Sequence, residues 1–213
     1  MTGKAKADGA ATMLMTSGGD ARILLDPQTG LNRYFSAPRP SDVIAYASST
    51  ANDISGDAFA HVEKWLEEAA PQGEIGAQAY AAHLEAMRGR IRKAYGVADD
   101  VEIVFAPSGT DLEYVALACT VGRAAGGTHN ILLGADEVGS GCIYSAHGQY
   151  FAESTALGHK TKAGEPVPGL DSTHVAMIDI PVRDEQGHAR HSEEIAQAAE
   201  AAIADARAND RHP

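Results

Sequence analysis

The sequence predicts an α/β fold in which a mostly parallel sheet carries helices on both faces. Three observations point there. Short apolar runs rich in β-branched residues recur at 101–106 (VEIVFA), 130–134 (NILLG) and 174–180 (HVAMIDI). Between and after them lie longer stretches with apolar residues at helical spacing. Gly, Pro and Ser punctuate the joins, and strands that alternate with helices are the pattern of βαβ units.

Taken in order, residues 1–21 hold two lysines and one apolar patch, Met13 to Met15. That patch is shorter than the roughly 7–15 residues of a signal-peptide core, so a mobile N-terminal arm is expected. Residues 22–50 carry Gly30, Pro38 and Pro40 and favour turns and extended chain. A helix is predicted at 55–70, with Phe59, Val62, Leu66 and Ala69 in phase, Ser55 or Asp57 as cap and Pro71 as stop. A second is predicted at 77–95 through Tyr80, Leu84, Met87, Ile91 and Ala94, closing on Gly96. Its Arg88, Arg90, Arg92 and Lys93 suit the negative end of the helix dipole. The strand 101–106 follows. A helix at 111–125 turns Leu112, Val115, Ala116 and Cys119 inward, the strand 130–134 comes next, and a further helix is expected at 141–156. A Gly/Pro-rich connection at 158–169 leads to the strand 174–180 and then to a helix at 192–208 that starts on Ser192, Glu193 and Glu194. That helix runs into RANDRHP where a further strand is expected, so the chain reads as cut in mid-fold.

Composition narrows the function. The 213 residues carry 17 Lys+Arg against 29 Asp+Glu, a net charge of −12. Such a surface repels phosphate backbones and anionic lipid, which argues against nucleic-acid and membrane partners. No run of about 18 apolar residues is available to span a bilayer. Two cysteines, Cys119 and Cys142, cannot staple a chain this long, and a reducing, cytoplasmic setting is expected.

In a parallel sheet, ligands bind at the carboxyl ends of the strands. The loop APSGTDLEYVALA, residues 106–118, passes through Ser108, Gly109 and Thr110 into a helix. Small residues there let backbone approach a ligand, and the first N–H groups with the two hydroxyls make a phosphate cup. The same residues also read as a plain turn with a helix cap. Other chemistries lack their spacing. No Lys follows a glycine cluster as a Walker loop requires, and Gly139-Ser140-Gly141 is not a Gly-x-Ser-x-Gly elbow. His174, His188 and His191 do not form a zinc pattern.

The stretch YGVADDVEIVFAPSGTDLEYVALA resembles the opening of the large domain of fold-type I pyridoxal-phosphate enzymes, nearest in appearance to the aminotransferase class V and cysteine-desulfurase branch. NILLGADEVGSGC resembles that group's next strand and loop, and HVAMIDIPVRDEQGHARHSEEIAQAAEAA the strand, turn and helix beyond it. GLNRYFSAPRPSDVIAYASSTANDIS is similar to the segment that leads into the active site. The resemblance spans roughly residues 22–210 and rests on the order of its pieces. It implies an incomplete fold-type I large domain at 77–213, preceded by a lead-in segment and first helix at 22–76.

By the same resemblance Ser108, Gly109 and Thr110 hold the cofactor phosphate. Desulfurase-like members place a stacking His after a Glu where this chain has Glu137-Val138, so Ser140, Tyr144 or His147 are the candidates to cover the ring. Arg183-Asp184 stands where an Asn is found, and Arg183 either donates to the phenolate oxygen or is a solvated turn residue. Thr50 and Asn52 are candidates for substrate contact, or for a cap. None of the six lysines matches the Schiff-base position, and the acid opposite the pyridine nitrogen is absent as well. The expectation is therefore the N-terminal half or a subunit of a pyridoxal-phosphate transferase or lyase acting on a small amino acid. Its Lys would come from a second protein chain, or from a longer form that assembles as a homo-oligomer. The competing expectation is a non-catalytic binding or assembly subunit.

Overall fold

The computed structural model describes residues 3–44, 46, 53–70, 74–171 and 174–213, with backbone alone for 3–8. The chain divides into two compact units, Met1–Phe105 and Ala106–Pro213. The 77–95 helix lies within the first unit.

In the first unit, residues Gly3–Met15 form helix α1 where a mobile arm is expected. Its alanines favour the helix intrinsically, and it packs against the next helix with Ala11 fully buried. The following segment is built of turns. Asp20 caps a short 3-10 turn, Ala21–Ile23, and pairs bidentately with Arg22. Asp26 accepts from the N–H groups of Gln28 and Thr29, both at 2.9 Å, and Asn32 from those of Tyr34 and Ser36. Asp53 closes the segment by accepting from the Ser36 hydroxyl and the Ala37 N–H, both at 2.8 Å, and from the Ser41 hydroxyl.

Helix α2, Gly56–Ala69, starts at the expected cap, with Ser55 Oγ accepting from the Ala58 N–H. Helix α3, Ala77–Tyr95, ends on Gly96 in the left-handed region. Trp65 Nε1 on α2 donates to His83 Nδ1 on α3 at 3.2 Å and joins the two. The basic end of α3 does more than meet a dipole. Arg88 Nε donates to Ile103 O at 2.8 Å, Arg92 donates to Val101 O at 2.8 Å, and the Arg88 guanidinium lies over Phe105.

Those contacts explain why 101–106 is not a strand. A strand needs a partner ladder, and here arginine side chains occupy the carbonyls such a ladder would use. Val101 and Val104 stay about half exposed, at 48% and 51%.

The second unit is mixed α/β. Strand β1, Thr128–Leu133, pairs in parallel with β2, Val175–Ile180, in register from Thr128 opposite Val175 to Leu133 opposite Ile180. Helix α4, Gly109–Thr120, packs Leu117 against Val175 and Leu170, and Thr128 Oγ1 donates to Thr120 Oγ1 at the start of β1. Its inner face is Thr110, Tyr114, Leu117 and Val121; of the expected residues Leu112, Ala116 and Cys119 are exposed. Tyr114 sets that rotation, because its ring stacks on Phe151 and its hydroxyl donates to Gln149 O at 2.6 Å.

Helix α5 covers only Cys142–Ala146 rather than 141–156. Gly148 ends it. This residue has φ 70°, and a Cβ there would lie 2.0 Å from Leu170 O, so the backbone must turn away. Irregular chain follows, with isolated antiparallel bridges Gln149–Pro166 and Ser154–Lys160. Helix α6, Ser192–Ala208, has the expected bounds and packs against both strands with Ala202 and Ala206 buried. Beyond it, His212 makes a parallel bridge to Thr128 on the edge of β1 away from β2. Among the described residues no helix is long and apolar enough to cross a membrane.

Hydrogen bonds from Ser41, Ala37 and Ser36 hold the Asp53 carboxyl below its ordinary value of 3.8. A depressed carboxylate stabilises the fold above its unfolded value and loses that contribution as pH falls through the folded one. Protection of the Ala37 amide against hydrogen exchange, taken relative to its intrinsic rate at each pH, is therefore expected to fall below about pH 4. In Asp53→Ala, which removes the acceptor, the amide should be weakly protected at every pH, with no acid step.

Candidate functional site

Parallel pairing brings the carboxyl ends of β1 and β2 to one side. Gly134 N donates to Ile180 O at 2.9 Å and Ala135 N to Asp179 Oδ1 at 2.8 Å, so the two following loops start bound to each other. Arg183 in the second loop forms an ion pair with Glu137 in the first, and its Nη1 donates to Gly187 O at 3.1 Å. Glu137 holds the guanidinium firmly in its charged form.

Helix α4 runs antiparallel to the strands. Its last residue, Thr120, meets the start of β1, and its second, Thr110, meets the loop after β1. The turn 107–110 therefore opens on the carboxyl side of the sheet. Thr110 is buried with its hydroxyl 3.8 Å from Cys142 Sγ, and its methyl lies against Gly141.

Ser108 is the cap of α4. Its Oγ accepts from Asp111 N at 3.2 Å and donates to Asp111 Oδ2 at 2.6 Å, a reciprocal cap. Gly109 is exposed, and a Cβ there would meet nothing within 4 Å. Among the described residues the N–H groups of Gly109 and Thr110 have no acceptor. They are first-turn donors that the helix start leaves free.

The remaining candidates lie apart from that pair. Ser140 is exposed in the turn before α5, and half-buried His147 closes α5, its N–H donating to Tyr144 O. Tyr144 sits on α5 and is 40% exposed. Among the described residues no hydrogen bond joins the side chain of Ser140, Tyr144 or His147 to the turn 107–110. Thr50 and Asn52 lie outside the described residues.

A polar cluster beneath the turn escaped the sequence reading. Glu113 accepts from the Ser145 hydroxyl at 2.8 Å, and Ser145 is fully buried. Burial, then Glu113, pushes the Cys142 thiol up, so it stays protonated and is no thiolate nucleophile. The available signal was spacing, since Glu113 follows Thr110 by one turn on the same side of α4. No protein-family model matches the chain, and no curated protein or solved structure is significantly similar to it.

If the Ser108 hydroxyl serves the helix, Ser108→Ala costs about 1 kcal/mol of stability with or without any ligand. Ser108→Asn, an equally good cap, should restore it. Urea unfolding of the three proteins is the measurement.

Proposed function

We propose that the second unit anchors the phosphate of pyridoxal phosphate, as part of a fold-type I enzyme acting on a small amino acid. One observation carries the reading: the start of α4 presents two unclaimed N–H groups and an unobstructed glycine on the carboxyl side of a parallel strand pair. The positive end of the helix dipole adds to them. These features fit a phosphate group. The residues assigned to it are Gly109 and Thr110 through their backbone, with Ser108 setting the helix start.

The cofactor, when bound, supplies an electron sink for carbanion chemistry at the amino acid's Cα. This chain's part is to bind and orient. The Schiff-base Lys and the ring-nitrogen acid are assigned to a second polypeptide or to a longer form of the chain. The coverage of the ring is assigned to Ser140, Tyr144 or His147, and substrate contact to Thr50 and Asn52.

A binding or assembly subunit without catalysis is the second reading. It is favoured by the Ser108 hydroxyl being spent on Asp111 and by Arg183 being held by Glu137.

The test is equilibrium dialysis of the full chain against pyridoxal phosphate and against pyridoxal. Retention of the phosphorylated form at least about tenfold above pyridoxal is expected, a difference of about 1.4 kcal/mol. Gly109→Asp should abolish that preference. An acid at the first helical position suits the dipole, and the space is open, so the fold is kept while phosphate is repelled. Equal retention of the two compounds, or an unaffected Gly109→Asp, overturns the phosphate assignment. Preferential retention with no borohydride-reducible band, even beside the gene product encoded next to it, favours the second reading.

A further inference from the structure

The first unit contains a cleft of about 620 Å³ lined by α2 and α3 and by Leu14 of α1. Its size falls within the range of roughly 300–1,000 Å³ typical of small-molecule sites. The walls are facing helical stripes. Trp65 follows His61 by one turn on α2, and on α3 His83, Met87 and Arg90 rise along one side. The Trp65 indole is fixed, because its Nε1 is bonded to His83 and the two rings meet edge to face with centroids 4.9 Å apart. Ordering it on binding therefore costs little entropy. Met87, 45% exposed, adds a soft wall that suits an aromatic ring.

The margin is basic, although the whole chain carries −12. Among the described lining residues, Lys64 and Arg90 stand against Glu68 alone. Glu68 lies 4.0 Å from Lys64, whereas Arg90 has no ion pair or hydrogen bond among the described residues. A free guanidinium beside an apolar, aromatic-walled cleft matches a planar carboxylate on an aromatic body.

We propose that this cleft binds a small aromatic carboxylate, its ring against Trp65 and Met87 and its carboxylate on Arg90. Every residue involved precedes Ala106, so the site stands independently of the phosphate assignment.

Trp65 is the chain's one tryptophan and reports directly on the cleft. The full chain is titrated with 3-phenylpropionate and with 3-phenylpropanol while Trp65 fluorescence is followed. A saturable change is expected with the acid, at least about tenfold weaker with the alcohol. Arg90→Gln should weaken the acid by a similar factor and leave the alcohol and the thermal melt unchanged. Equal affinity for acid and alcohol, an unaltered Arg90→Gln, or no saturable change overturns the proposal. A Trp65 signal that moves with protein concentration in the absence of ligand overturns it too, since a second copy then fills the cleft.

Discussion

The parallel pairing of Thr128–Leu133 with Val175–Ile180 is the constraint on which the second unit depends. A parallel pair cannot be closed by a hairpin, so the chain between the strands must travel back along the sheet before β2 begins. Its start is tightly specified. Thr128 N donates to His174 O at 2.7 Å, and Gly127 sits at φ 84° where a Cβ would fall 2.2 Å from that same carbonyl. Only glycine lets the strands meet there. Val175, fully buried one residue later, then packs with Leu117 and Leu170 and ties α4 to the pair.

The location of the candidate site follows from that packing and needs no ligand to explain it. Tyr114 anchors the middle of α4 by stacking on Phe151 and donating to Gln149 O, and burial pushes its phenol up, so it stays a neutral donor. Thr120 meets Thr128 at one end of the helix, which leaves the other end beside Gly141 and Cys142. The Glu113–Ser145 hydrogen bond fixes α5 against α4 from beneath. A helix held at its middle and at both ends keeps its first N–H groups at a set place above the strand termini.

How much of this was legible depends on the range of the interaction. Helices α2, α3 and α6 were readable because caps, stops and spacing are local: Ser55 caps α2, Gly96 ends α3, and α6, whose cap position is His191 with no side-chain bond, carries Glu193 and Glu194 in its first turn. A strand is a property of two segments, and 101–106 has strand composition without a partner. Arg88 and Arg92, a turn or more back on α3, take its carbonyls instead. The early end of α5 was hidden for a similar reason, since Gly148 turns under Leu170, a residue distant in sequence. The turn 107–110 was expected at the end of a strand 101–106; without that strand it reaches the carboxyl side of the sheet because α4 runs from Thr110, beside Gly141 and Cys142, back to Thr120 at the start of β1. The ion pair of Arg183 with Glu137 was not legible, because it joins two loops whose conformations each depend on the other.

Donor supply at the start of α4 decides what the turn can hold. Four N–H groups are left over at any helix start. Here Leu112 N makes the first regular bond to Ser108 O and Asp111 N is taken by Ser108 Oγ, so the Gly109 and Thr110 N–H groups of the first turn remain. Asp111 also brings a carboxylate to the same turn, which opposes a phosphate dianion as the dipole attracts it. Two amides and a dipole make a foothold for phosphate rather than a complete cradle, and the guanidinium of Arg183, in the loop after β2, is paired with Glu137. A tight site therefore requires further donors. Another polypeptide can bring them, or Glu137 can release Arg183, and either route would add to the modest phosphate preference that the turn alone supplies.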